Sequence, residues 1–446
     1  MSDHPTRAEL DALLRGDLPD ERLPAVLRHL LAGCRDCRSF VFPRAASELA
    51  PEPPPVPEST EAAYDRAIDK AIALASRVTR EKKLYRQALK AIDAEGPLGI
   101  LHGPPSLRGV EGLRALLERS WAQRGESPRK MVALARAATQ VADKLQSDLV
   151  GEEEVWDLRC RAWIELANAQ RVANDFERAT ESLAEASRHL VRGHRSEELE
   201  VRLLDVQASL EGHLCHFASA FDILDMVADI HGQRGDRHMA GRALISKGMF
   251  KGYHGESGEA LELTRRGKEM LDERRDPILY FLAVHNEVHL LVDLECFAEA
   301  RLLLWSNLGR FERHGGKVDH LKLRGLWGLI NAGLGKLDEA ARDFAVERSG
   351  LQEEGLVYTA SVAGLDLAAV HLQQGSIAEA EAVALESLAV FLEMDIPDQA
   401  RLAVLLLETA LRRRLASVDL LALLRRTAKF FRRIEHDSTA VFNPKG

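Results

Sequence analysis

The sequence predicts an all-α protein: a small N-terminal helical domain, then a solenoid of about seven helical hairpins. Three observations point there. Leu, Ala, Arg and Glu dominate the 446 residues, with only 5% aromatics, and these four lose little side-chain freedom in a helix. A short loop closed by alanine recurs six times, as NDFERA, CHFASA, GESGEA, ECFAEA, GKLDEA and GSIAEA. Between the two regions, PEPPPVPEST at 51–60 holds five prolines in ten residues, which reads as a semi-extended linker.

The elements follow in order. Thr6 and Glu9 have capping-box spacing and Gly16 can stop a helix, so TRAELDALLRG reads as the first helix. A second runs through ERLPAVLRHLLAG to near Gly33. After the linker, residues 61–93 carry one long amphipathic helix, broken by GPLGILHGPPS. The expected divisions are therefore a domain at 1–45, a linker at 46–60, a linking helix and loop at 61–106, the repeats at 107–436 and a tail at 437–446.

The repeats are in phase. Their closing residues Ala179, Ala220, Ala260, Ala300, Ala340 and Ala380 are spaced 41, 40, 40, 40 and 40. Three residues before each stand Phe176, Phe217, Ser257, Phe297, Leu337 and Ile377, apolar in five cases of six. Twelve before each stand Ala167, Ala208, Gly248, Val288, Gly328 and Ala368, small in five of six. Each unit is thus two helices and a tight turn, the small residue letting the helices pack closely. A degenerate hairpin leads at 107–145, with Ser127 and Pro128 opening its second helix, and another closes at 398–435.

This order of small residue, turn, apolar residue and alanine resembles the tetratricopeptide repeat, over at least 157–396. The period departs from it, being 40 where about 34 is usual. The resemblance implies a concave groove lined by the first helices, taking a peptide or partner helix. It places Arg161, Asn168, Arg171, Arg202, Arg242, His285, His289 and Lys322 on that groove as partner-binding residues. A basic column there suits an acidic segment or a terminal carboxylate, since arginine grips carboxylates with two hydrogen bonds. The competing reading is that these arginines pair with acids on neighbouring helices.

RHLLAGCRDCRSF at 28–40 raises a metal question. A tetrahedral zinc site needs four nitrogen or sulfur ligands, often with two in CxxC. Cys34 and Cys37 give the pair, and His29 and His4 are the histidines within reach. The set His4, His29, Cys34, Cys37 resembles the zinc-binding anti-sigma domain, with its two histidines 25 apart and then CxxC. The family has three residues between histidine and cysteine, whereas this chain has four, LLAG; one residue turns a helix position by about 100°. The whole chain resembles a family of bacterial zinc-finger and tetratricopeptide proteins.

The net charge of −9 gives no support to broad nucleic-acid binding, and no apolar run reaches the ~20 residues of a membrane span. With no signal-peptide pattern, a reducing cytoplasm is expected, its five cysteines thiols or ligands. No phosphate-binding loop, dinucleotide fingerprint or nucleophile elbow occurs. HNEVH reads as a groove-lining polar pair, GEEE as a solvated helix start, HLCH as packing plus two polar residues near a repeat turn, and Cys160 and Cys296 as small buried residues. The expectation is a non-enzymatic cytoplasmic regulator or adaptor that binds protein partners, its anti-sigma resemblance implying a sigma factor. Alternatives are a scaffold subunit of a stress or defence complex, and a zinc-finger nucleic-acid binder.

Overall fold

The computed structural model describes residues 4–15, 17–19, 21–31, 34–41, 58–146, 151–394 and 396–414. Among them there are twenty α-helices and no strand. The linker at 46–57, Gly16, Gly33 and everything after 414 lie outside the described residues. The linker is shorter than the sequence suggested: residues 58–60 already belong to a helix. No described helix is long and apolar enough to cross a membrane.

The chain forms two compact units, residues 1–119 with 140–145, and residues 120–139 with 146–446. The division thus falls inside the leading hairpin rather than at 106/107. The first unit opens with α1 (Arg7–Arg15), α2 (Leu23–Leu31) and α3 (Arg35–Val41). The capping box forms: the Thr6 amide donates to Glu9 Oε2 at 2.8 Å and the Glu9 amide to Thr6 Oγ1 at 3.2 Å. Arg22, first, and then Thr6 hold the Glu9 carboxyl down to about 2. The long helix α4 (Glu58–Glu95) belongs to the same unit, where its Arg86 pairs with Asp17 at 2.7 Å. The 1–45 region therefore does not stand apart as a separate body. After α4 come the short α5 (Leu98–Leu101) and a 3-10 turn at Pro105–Leu107.

The leading hairpin is α6 (Val110–Ala122) with α7 (Pro128–Asp143), Pro128 being the first helical residue as expected. Six in-phase hairpins follow. They are α8 (Glu152–Val172) with α9 (Phe176–Arg192), α10 (Glu197–His213) with α11 (Phe217–Gln233), and α12 (Arg237–Tyr253) with α13 (Ser257–Glu269). Then come α14 (Pro277–Asp293) with α15 (Phe297–His314), α16 (Lys317–Gly333) with α17 (Leu337–Glu353), and α18 (Val357–Gln374) with α19 (Ile377–Glu393). The last described helix is α20 (Pro397–Arg414). The architecture is a tetratricopeptide-like α-solenoid.

The period has a backbone cause. Five residues before each marker alanine, Asn174, Cys215, Gly255, Glu295, Gly335 and Gly375 all have positive φ, from 59° to 94°. That left-handed residue reverses the chain so the next helix folds back, and the residue two positions on, apolar in every case but Ser257, opens it. Three of the six are not glycine and so carry strain of about 1–2 kcal/mol each. The alanines themselves are at most 1% exposed. A β-carbon on Gly248 would come within 2.5 Å of Thr264 Oγ1, and one on Gly328 within 2.8 Å of Phe344.

The second unit also closes on itself. The Val318 amide donates to the Gly125 carbonyl at 2.9 Å and the Lys317 amide to Glu126 Oε2 at 2.9 Å. Thr359 Oγ1 donates to Asn174 Oδ1 at 3.0 Å, Phe176 meets Tyr358 edge to face, and Ile396 joins the core around Cys160 and Ile164. Late repeats thus touch the turns of early ones.

Candidate functional site

The first candidate is the Cys/His cluster. The His4 Nδ1 lies 3.6 Å from Cys34 Sγ and 3.8 Å from Cys37 Sγ, and His4 and His29 stack edge to face at 4.6 Å. One ligand atom from each of His4, His29, Cys34 and Cys37 lies within 4.8 Å of the others. A tetrahedral zinc with two sulfurs and two nitrogens has nitrogen–sulfur edges of roughly 3.5 Å, so the donors are spaced for such an ion. His29 Nε2 is buried with no hydrogen-bond partner, as a ligand atom would be. Burial, and then the neighbouring Cys34, push the Cys37 thiol up, so holding it as thiolate calls for a compensating cation. The four residues can therefore hold a metal ion. The extra residue before Cys34 does not turn His29 away, since its ring offers a donor atom within 4.8 Å of those of His4, Cys34 and Cys37.

The second candidate is the concave face. Arg202 donates to Glu165 at 3.0 and 2.8 Å and to Asp205 at 2.8 Å, and Arg242 reaches Asp205 at 2.7 Å. Arg161 lies 3.2 Å from Glu165. Burial pushes Asp205 up, but Arg242 and Arg202 hold its carboxyl below the usual range, and Arg202 and Arg161 do so for Glu165. The expected column of cations exists, then, but three of its members are knitted to acids on adjacent inner helices. Arg171 is different. Among the described residues its hydrogen-bond partner is Asn168 Oδ1, at 2.9 Å, while its Nε and Asn168 Nδ2 are buried without partners there. Burial lowers Arg171 to about 10, with Arg242 and Arg202 also acting against its charge. Arg161 also reaches the exposed Glu198 at 3.6 Å, and Asp205 acts in favour of the Arg171 charge without an ion pair to it.

Just after α6, Arg124 stacks on Trp121 of that helix at 4.5 Å, and Arg202 lies over the same ring at 5.5 Å. Nothing in the periodic columns pointed to these two residues, since they precede the regular repeats. His285, lowered to about 3 by burial and then by Lys322, is neutral near neutral pH. His289 sits 3.5 Å from Asp293, whose charge raises it against the effect of burial. Lys322 makes no ion pair within 4 Å among the described residues, although its charge acts on His213, His285 and Glu347.

The other sequence motifs resolve simply. In HNEVH, Glu287 turns away from the two histidines to Arg265 at 2.7 Å and to Lys268. Cys160 is buried as expected, but Cys296 is exposed, because it is the cap residue at the start of α15. Glu154, Asp157 and His194 cluster at the surface, where Asp157 is already bound to the His194 ring at 2.7 Å.

No protein-family model and no curated protein matches this chain. Among solved structures it is similar to a Rap protein complexed with Competence and Sporulation Factor, with 14% identity and a TM-score of 0.52 over 74% of this chain and 95% of that one. Weaker likenesses are the Cut9–Hcn1 hetero-tetramer of the APC/C (12% identity, TM-score 0.44, 95% of this chain and 77% of that) and yeast Tom70 (13%, 0.36, 94% and 85%). At these identities the first likeness shows the shared fold.

Proposed function

We propose that this chain is a non-enzymatic adaptor or regulator whose repeat array takes up a protein segment in its concave face. The observation that carries the reading is the half-buried Arg171 beside the buried Asn168, where Arg171 Nε and Asn168 Nδ2 are buried without hydrogen-bond partners. Buried polar groups left unpaired cost stability, and a ligand carboxylate would satisfy both. An acidic side chain or a terminal carboxylate of the segment has the right chemistry. The fold shared with a Rap protein crystallised with its Competence and Sporulation Factor supports the same use of the array.

The N-terminal cluster completes the proposal. His4, His29, Cys34 and Cys37 would hold zinc, the metal that two thiolates and two imidazoles favour. Bound, it supplies a cross-link between the first residues, the end of α2 and the start of α3. That fixed surface would engage a protein partner, with a transcription sigma factor the one its sequence resemblance favours.

Selection of binders from a displayed library of random peptides, followed by titration of synthetic copies, tests the array. Arg171→Gln should weaken an acidic binder by about 10-fold or more, since a charge-assisted contact contributes ~1.5–3 kcal/mol. Helicity should be unchanged, because Arg171 bridges no acid. Binding that ignores Arg171→Gln would place the segment elsewhere.

A further inference from the structure

Two departures from the repeat pattern meet in space between α16 and α17. Fifteen residues before each marker alanine, the inner-helix row reads Ile164, Asp205, Ile245, His285, Gly325 and Leu365, all but His285 buried. Only Gly325 lacks a side chain. Seven residues after each marker, the row packed against the inner helix reads Ala186, Val227, Gly267, Asn307, Glu347 and Ser387. Only Glu347 is charged. The two coincide: a β-carbon on Gly325 would collide with the Glu347 carboxylate. The glycine therefore opens a notch, and an acid from the outer helix fills it.

Glu347 is 8% exposed, and among the described residues it has no hydrogen bond or ion pair within bonding distance. The charges that act on it are Asp366 of α18, which opposes its ionisation, and Lys322 of α16, which favours it without closing to an ion pair. Among the described residues Asp366 likewise has no cation within 4 Å, and the charges acting on it include His289, which favours its ionisation, and Asp293, which opposes it. Burial pushes Glu347 up to about 8 and Asp366 to about 6. A fold does not gain stability from a buried, unpaired carboxyl where its sister repeats have the uncharged Ala, Val, Gly, Asn or Ser. Such a group makes sense as half of a pair whose other half arrives with a ligand.

We propose that the Gly325 notch, with Glu347 behind it and Asp366 beside it, is a subsite for a lysine or arginine side chain of the captured segment. The inference rests on the reading that the concave face binds such a segment, and it adds a second contact of opposite sign to the Arg171 region. The preferred segment then carries one basic and one acidic group, which fixes its direction along the face.

The test runs the random-peptide selection on the full chain and on Glu347→Gln in parallel. Wild-type binders should share a lysine or arginine at a fixed spacing from an acidic group. Replacing that residue by norleucine should weaken wild-type binding by about 10- to 100-fold and the Glu347→Gln chain by under about 3-fold, the range expected of one charge-assisted contact. Binders without a shared basic residue, or an equal norleucine effect on both chains, would overturn the subsite and leave the groove reading intact. A library that yields no binder at all would overturn both. Thermal unfolding gives an independent check. A melting temperature that is unchanged or higher in Glu347→Gln fits an acid held for a ligand, whereas a clearly lower one would make Glu347 an internal partner of Lys322.

Discussion

The N-terminal three-helix region and the repeat array bury their apolar surface in different ways. Among the described residues the first has a core of Leu10, Leu18, Leu23, Val26, Leu30 and Cys37, and one of these is a candidate metal ligand. So small a core gives little margin, and an ion bound to four side chains becomes part of the fold itself. In the array each hairpin rests on its neighbours, and the repeated alanines and left-handed turns carry the stack. Binding residues there can change while the packing rows stay. In the small region the chemistry and the folding are the same residues; in the array they are separable, except where charges cross between helices.

The largest effect that would break this contrast lies in the metal cluster. Structural zinc contributes about 10–16 kcal/mol to small domains, so Cys37→Ser should lose the metal and unfold the region around α1–α3. Metal analysis and proteolysis mapping should show this while circular dichroism retains the array. Wild-type protein prepared without chelator and holding no metal would remove the contrast.

Within the array the exception should be visible next. Asp205 is 3% exposed and bridges Arg202 and Arg242. Asp205→Ala should cost about 3–5 kcal/mol, because it leaves buried arginines unbalanced. Denaturant unfolding measures it, and a loss near zero would mean that these charges are solvated and free for ligand.

Glu347 should show the reverse sign. Its folded pKa, about 8, is above the ordinary 4.5, so the folded state holds its proton where the unfolded state does not. Its contribution is fully favourable below the ordinary value, declines as pH rises from there to about 8, and is then constant. Glu347→Gln should therefore match wild type near pH 4.5 and exceed it at pH 8 by about 2–4 kcal/mol. Melting curves at the two pH values check this.

The smallest effect concerns the turns. Glu295 and Cys215 hold φ near 59° and 62°, where Gly255, Gly335 and Gly375 sit without strain. Replacing either by glycine should raise stability by about 0.5–1 kcal/mol, the relief being partly offset by the freer unfolded chain.

The array was legible in the sequence because its signal is repeated six times. Small residues, turns and marker alanines all fall where the period puts them, and the positive-φ residues lie within the quoted loops. The four-residue metal cluster was legible too, from CxxC and two histidines. What escaped was cross-helix geometry. Columns of like position showed Arg202 and Arg242 as a basic stripe, but each sits beside an acid supplied by a different column. Glu347 escaped because it belongs to an outer helix and meets a glycine on the inner one. The closing contacts of Gly125 with Val318, and of Asn174 with Thr359, join residues 193 and 185 apart, a distance at which no local pattern speaks.

The central claim is that the array binds a segment on its inner helices. Hydrogen–deuterium exchange of the full chain, with and without a selected peptide, locates the segment directly. The account predicts slowed exchange in α8, α10, α12 and α16, with the outer helices unchanged. Protection confined to outer helices such as α15, where Leu302 and Trp305 each stand 68% exposed, would contradict it.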